Sequence, residues 1–296
     1  MLEATRLAVA AFLAAYGAGA VAAPVSAVDA NGVRIELAAP AARIVSLAPH
    51  ATELLFAAGA GKSVVGVLSP ADWPREAKRV PRIGDAAGLD LERIVALKPD
   101  LAVVWPYLAP GEVEQLRALG VPIFVSDPRT PEAIAEDLER LGVLAGTGEL
   151  AAQAAAAFRA RLTLLAQRGG AAPKVSVFYE IWPRPLYTVG GKHLITAMLG
   201  LCGGENVFGR LAAPAPAVGI EDVLAARPEA IVAGTDGAVR PAWLDEWRRW
   251  SDIPAVARGN LFVVDANLLH RPGPRFIEGA EELCVALDRA RENLRR

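Results

Sequence analysis

The chain has 296 residues, enough to bury a substantial core and better suited to two modest domains than to one. At 53% hydrophobic and 22% charged it is not a disordered chain. With 31 Lys and Arg against 33 Asp and Glu, it carries no basic footprint for nucleic acid and no polybasic surface for anionic lipid.

At the N-terminus, Arg6 precedes an apolar run from Leu7 to Val21, and Ala20-Val21-Ala22 fits a small-x-small cleavage site. Residues 1–22 therefore read as a signal peptide; an anchor helix is the alternative, but the run is short and rich in small residues. No Cys lies near the cleavage point to accept a lipid. The mature protein is expected free in an oxidising compartment such as a periplasm. In such a chain Cys202 and Cys284 form an even pair, either bridged or left as two buried thiols.

Residues 33–37 alternate apolar and polar as an edge strand does. Arg43–Leu47 reads as a buried strand. Thr52–Ala58 predicts a helix with Leu54, Leu55 and Ala58 on one face, stopped by Gly59 and Gly61. Val64–Val67 is the next strand, Asp90 caps a helix over 91–98, and Pro99 ends it. Strands follow at 101–105 and within 120–126. Strands alternating with short helices predict βαβ units and a mostly parallel sheet.

The same order then recurs. Residues 91–100 match 220–229 in chemical type, 43–47 echo 174–178, 55–66 echo 198–209, and 123–125 echo 261–263. Four echoes in one order at a near-constant offset describe a duplicated unit. Between them, Thr130-Pro131 starts a helix, and Leu150, Ala154, Phe158, Leu162 and Leu165 recur at helical spacing over about 149–168, a length of ~30 Å. The expected fold is α/β: two Rossmann-like lobes with mostly parallel sheets joined by one long α-helix. The N-terminal lobe takes residues 40–145, the bridging helix 146–170 and the C-terminal lobe 171–296. A helical bridge predicts small closure motions.

Catalytic signatures are missing: there is no GxSxG elbow, HExxH or complete phosphate loop, and Gly190-Gly191-Lys192 reads as a turn. The three histidines, His50, His193 and His270, leave open a metal site and with it an exported metal-dependent hydrolase. His50 and His270 follow strands, where loops of open α/β sheets face the ligand crevice; capping or surface histidines are the alternative. Trp73, Trp105, Tyr107, Tyr179 and Trp182 fall in the same kind of loop, three of them before Pro. They suit the rigid wall of a site for a flat, bulky ligand, or else loop packing. Trp243, Trp247 and Trp250 have the spacing of a packed helix. Glu92 and Glu221 hold equivalent repeat positions in first helical turns, which the helix dipole favours or a partner's arginines would use.

The motifs Arg43-Ile44-Val45-Ser46-Leu47-Ala48-Pro49-His50-Ala51-Thr52-Glu53-Leu54-Leu55, residues 91–101, and Cys202-Gly203-Gly204-Glu205-Asn206-Val207-Phe208 resemble the cobalamin-binding periplasmic proteins of ABC importers. These belong to the helical-backbone class shared with heme and ferric-siderophore binders. The resemblance runs over roughly residues 42–292. It implies a monomeric, non-catalytic binding protein without a cofactor, whose cargo is a corrinoid and whose partner is a permease dimer, with no role for nucleic acid. It also implies permease docking through Glu92 and Glu221, and a disulfide between Cys202 and Cys284. His50, Trp105, Asn267 and Arg271 fall at ligand-contact positions, with Trp182 close to another. Pro70, Ala86 and Ala215 stand where such binders carry aromatics, so either Trp73, Tyr107 and Tyr187 supply the stacking surface or the cargo is another corrinoid, a heme or a ferric siderophore; His270 is a further candidate contact from its place after a strand.

Overall fold

The computed structural model describes residues 23–85 and 87–296, so the signal segment of residues 1–22 and Ala86 lie outside the described residues. The chain opens with an antiparallel hairpin of β1 (Val25–Val28) and β2 (Arg34–Leu37). The first lobe is β3 (Ile44–Ser46), α1 (Pro49–Ala57), β4 (Val64–Val67), a small ribbon of β5 (Gly84–Asp85) and β6 (Gly88–Leu89), α2 (Leu91–Leu97), β7 (Leu101–Val104), α3 (Pro110–Ala118) and β8 (Ile123–Val125). Its sheet is fully parallel in the order β4-β3-β7-β8. Every residue of β3 and β7 is buried, as strands covered by helices on both faces must be.

Two helices follow, α4 (Pro131–Ala145) and α5 (Gly148–Gly170). Thr130 accepts from the Ala133 amide at the start of α4, with Pro131 in its first turn, and Gly146 closes it with φ 70°. The 23 residues of α5 form a rod of about 35 Å. Its buried stripe is Ala151, Ala155, Phe158, Leu165 and Gly169; Leu150, placed in the stripe by spacing, is exposed. Phe158 and Leu165 are buried as the spacing predicts and Ala154 and Leu162 pack partly buried against the core, while Ala151 and Ala155 widen the stripe because α5 is packed on several sides.

The second lobe runs β9 (Val175–Pro183), β10 (Leu186–Thr188), α6 (Leu194–Leu201), β11 (Gly204–Asn206), α7 (Ile220–Ala226), β12 (Ala230–Thr235), α8 (Ala242–Asp245), α9 (Pro254–Ala257), β13 (Leu261–Asp265), α10 (Ala266–Leu269) and α11 (Phe276–Leu294). Its sheet has the order β10-β9-β12-β13 with β11 also beside β9, parallel except for β10.

The duplication extends to detail. Helices α2 and α7 are each seven residues long and each ends in a basic residue with φ 47°, Lys98 and Arg227, ahead of a proline. Asp100 then accepts from the Ala42 and Arg43 amides before β3, and Glu229 accepts from the Ser176 amide in β9. One carboxylate per lobe thus ties the outgoing strand to its neighbour. Trp247 is buried and Trp243 and Trp250 pack beside it, against one face of the second sheet. A continuous apolar core runs from α1 and α4 through α5 to α6 and α11, so the lobes share an interior. Cys202 and Cys284 are bonded to each other and link the end of α6 to α11.

Candidate functional site

A cleft of about 900 Å³ opens between the lobes, where the loops after the strands of both sheets meet. That is the upper end of the usual range for ligand sites and calls for a bulky guest. The first lobe contributes Trp105 and Tyr107 after β7 and the segment 127–130 after β8; the second contributes Ile181, residues 191–194, His270, Pro272 and Phe276. Trp105 and Tyr107 stand edge to face with centroids 4.7 Å apart. The Trp105 indole N–H has no hydrogen-bond partner among the described residues. Tyr107 is 70% exposed, a projecting aromatic at the rim. Charge is sparse here: Arg129 is paired to Asp127 at 2.6 Å, and Lys192 stands at the edge.

On the opposite wall, His270 Nε2 lies 3.1 Å from the buried Tyr179 hydroxyl. Burial holds that phenol well above its usual range, so it stays protonated. β12 makes room for the pair at Gly234, where a Cβ would sit 2.6 Å from the Tyr179 oxygen and 2.7 Å from His270 Nε2. His193 caps α6: its Nδ1 accepts from the Ile195 amide at 3.1 Å. Burial lowers its pKa to about 4, and His270 is lowered by the same cause. Gly190 and Gly191 form the turn ahead of it because a Cβ at either would fall near 2.0–2.1 Å from the carbonyls of Ala213 and Gly209. That close packing, not a phosphate, accounts for the glycines.

Several expected contacts lie elsewhere. Helix α1 starts at Pro49, not Thr52, since a first-turn proline costs no hydrogen bond. His50 is therefore inside the helix, buried beneath Trp105 at 5.1 Å between ring centroids, with Nε2 3.3 Å from Ser126 Oγ. Ser126 in turn donates to Asp137 at 2.7 Å. Desolvation lowers the His50 pKa to about 4 and raises that of Asp137 to about 6. This order puts Ser between Asp and His, the reverse of what a nucleophilic triad needs. The three histidines do not converge, and no group of three or more candidate metal ligands occurs among the described residues.

Trp182 is 58% exposed and donates to the Arg184 carbonyl, while its neighbour Ile181 lines the cleft. Alternation along β9 forces that choice. Tyr187 pairs with Trp182 across β10 and does not line the cleft. Arg271, Asn267 and Trp73 belong to an interlobe cluster. Arg271 bonds Asp72 at 2.5 Å and Asn267 at 2.9 Å, and Arg275 grips the buried Glu53 through contacts of 2.6 and 3.0 Å while lying 4.6 Å over the Trp73 ring. Removal of Glu53 from water outweighs both guanidiniums and holds its carboxyl above the usual range. Phe276, Leu269 and the loop after β8 were not anticipated; that loop and α10, which carries Leu269, directly follow strands, which was the available signal, whereas Phe276 opens α11 and had none. Glu92 and Glu221 are exposed in the first turns of α2 and α7, at matching places in the two lobes.

A family model described as periplasmic binding protein matches residues 44–268. The chain is 36% identical over 254 residues, 86% of its length and 92% of the other's, to the vitamin B12-binding protein of Vibrio campbellii. A crystal structure of a periplasmic vitamin B12 binding protein from Vibrio cholerae superposes with a TM-score of 0.77 at 34% identity, covering 85% of this chain and 98% of that one. A periplasmic heme-binding protein from Roseiflexus sp. RS-1 gives a TM-score of 0.72 at 26% identity, covering 84% and 98%.

Proposed function

The chain belongs to the periplasmic binding protein family, and from that premise we propose that it captures cobalamin or a related corrinoid between its lobes. It then hands the ligand to the permease dimer of an ABC importer. It works as an exported monomer in the periplasm after loss of residues 1–22, and it changes nothing in its cargo. The observation that carries this reading is the cleft of about 900 Å³ with aromatic groups on one wall and few charges. Flat macrocycles bind such walls by stacking. Trp105 and Tyr107 take the ligand's face, and His270 meets its edge. Glu92 and Glu221 dock onto arginines of the permease, one per lobe, as charge-assisted pairs.

A second reading within the same class is heme, supported by Lys192 and Arg129 at the cleft, which suit a ligand bearing carboxylates. Calorimetric titration with cyanocobalamin, hemin and a ferric siderophore separates the two. Saturable heat with cyanocobalamin at the tightest affinity is expected; silence with it alongside saturation by hemin would replace the corrinoid. A hydrolytic function would instead appear as ester turnover with added zinc that EDTA abolishes.

A further inference from the structure

We infer that His193 is a further residue of the second lobe, beside His270, that reads the ligand's rim, donating a hydrogen bond from Nε2 to a carboxamide or carboxylate oxygen at the edge of the bound macrocycle. The inference rests on the cleft being the ligand site and goes beyond it by naming the group recognised.

Three observations lead there. First, other polar side chains of the second lobe are already committed. Arg271 is tied to Asp72 and Asn267, Arg275 to Glu53, and Thr196 donates to the Gly190 carbonyl at 2.7 Å. Each of these side chains already donates to a protein group. Second, His193 lines the cleft, yet its Nδ1 accepts from the Ile195 amide. A neutral imidazole carries one proton, so with Nδ1 accepting, that proton is on Nε2. Nε2, at the far edge of the ring, has no hydrogen-bond partner among the described residues. Third, the charged form is disfavoured twice. Burial lowers the pKa to about 4, and a second proton on Nδ1 would face the Ile195 N–H.

The cap thus fixes both the tautomer and the ring, which makes His193 a pre-oriented donor. The same tautomer speaks against His193 as an axial metal ligand, since a protonated Nε2 has no lone pair to give. Corrinoid side chains end in carboxamides and heme side chains in carboxylates. Both present the oxygen this donor needs, and Lys192 next to it adds charge for the second.

The test uses His193→Asn and His193→Ser. Both residues cap helices, so the Ile195 amide keeps its partner, but neither extends as far as the imidazole. Affinities for cyanocobalamin and for hemin are measured by calorimetry, alongside thermal melting of each variant. The expected result is unchanged melting with binding weakened about threefold to tenfold for the ligand that wild type takes, the effect of one neutral hydrogen bond. Wild-type affinity in both capped variants overturns the assignment while leaving the cleft as the binding site. A wild-type protein that binds neither probe removes the cleft reading itself, and this one with it. A third arm uses aquacobalamin, whose water ligand exchanges. A shift of its visible bands in wild type that both variants abolish would mean metal coordination by Nε2 and refute the donor role.

Discussion

Truncating Glu53 is the most informative perturbation of this fold, because that carboxylate is the buried acceptor of the ion-pair cluster that joins the two lobes. Its side chain is 2% exposed, and those of Arg271 and Arg275 are 14% and 15% exposed. Two guanidiniums thus depend on a buried partner, with Asp72 engaging only Arg271 directly. Removing one member of such a group leaves a buried charge uncompensated, at a cost of about 3–5 kcal/mol. With an m-value near 3 kcal/mol/M, Glu53→Met is expected to lower the urea midpoint by about 1–1.7 M. Arg275→Met alone should lose a similar amount. The double variant, however, should recover most of it. Desolvation already outweighs attraction at Glu53, and a methionine at 275 can pack on Trp73. Circular dichroism in a urea series on all four proteins completes the cycle. The exposed pair Arg184–Glu246 serves as control, and its removal should leave the midpoint in place. A Glu53→Met midpoint within experimental error of wild type, or strict additivity in the double variant, would refute the reasoning.

Glu180 is buried, accepts from the Trp247 indole at 2.8 Å, and has its pKa raised by burial from 4.5 to about 7. A raised carboxyl pKa stabilises the fold most below pH 4.5 and loses that contribution as pH climbs through 7, on the order of 3 kcal/mol in full. Glu180→Gln should therefore melt higher than wild type at pH 8 and show a flatter profile between pH 5 and 8. Reducing Cys202–Cys284 opens a loop of sequence separation 82, so the reduced protein should lose about 4–5 kcal/mol in denaturant titration. Glu92→Ala with Glu221→Ala should leave cyanocobalamin binding unchanged in calorimetry but abolish uptake by cells. Intact uptake would end the docking assignment.

Local pattern determined much of this protein. The order of strands and helices, the duplicated unit and the long central helix follow from hydrophobic periodicity, caps and Gly/Pro punctuation, which act over a few residues. The matching ends of α2 and α7, and their acidic first turns, are legible the same way. What faces the cleft was decided by tertiary contacts. Three residues' difference in the start of α1 took His50 from a loop into the interior, and one step along β9 exchanged Trp182 for Ile181. Asp72 captures Arg271 from 199 positions away, a pairing no local window contains. His193 gained its place through a cap that its own sequence neighbourhood permits but does not require. Periodicity assigns a side chain to a face of its own element; only the packing of elements against one another decides what that face meets.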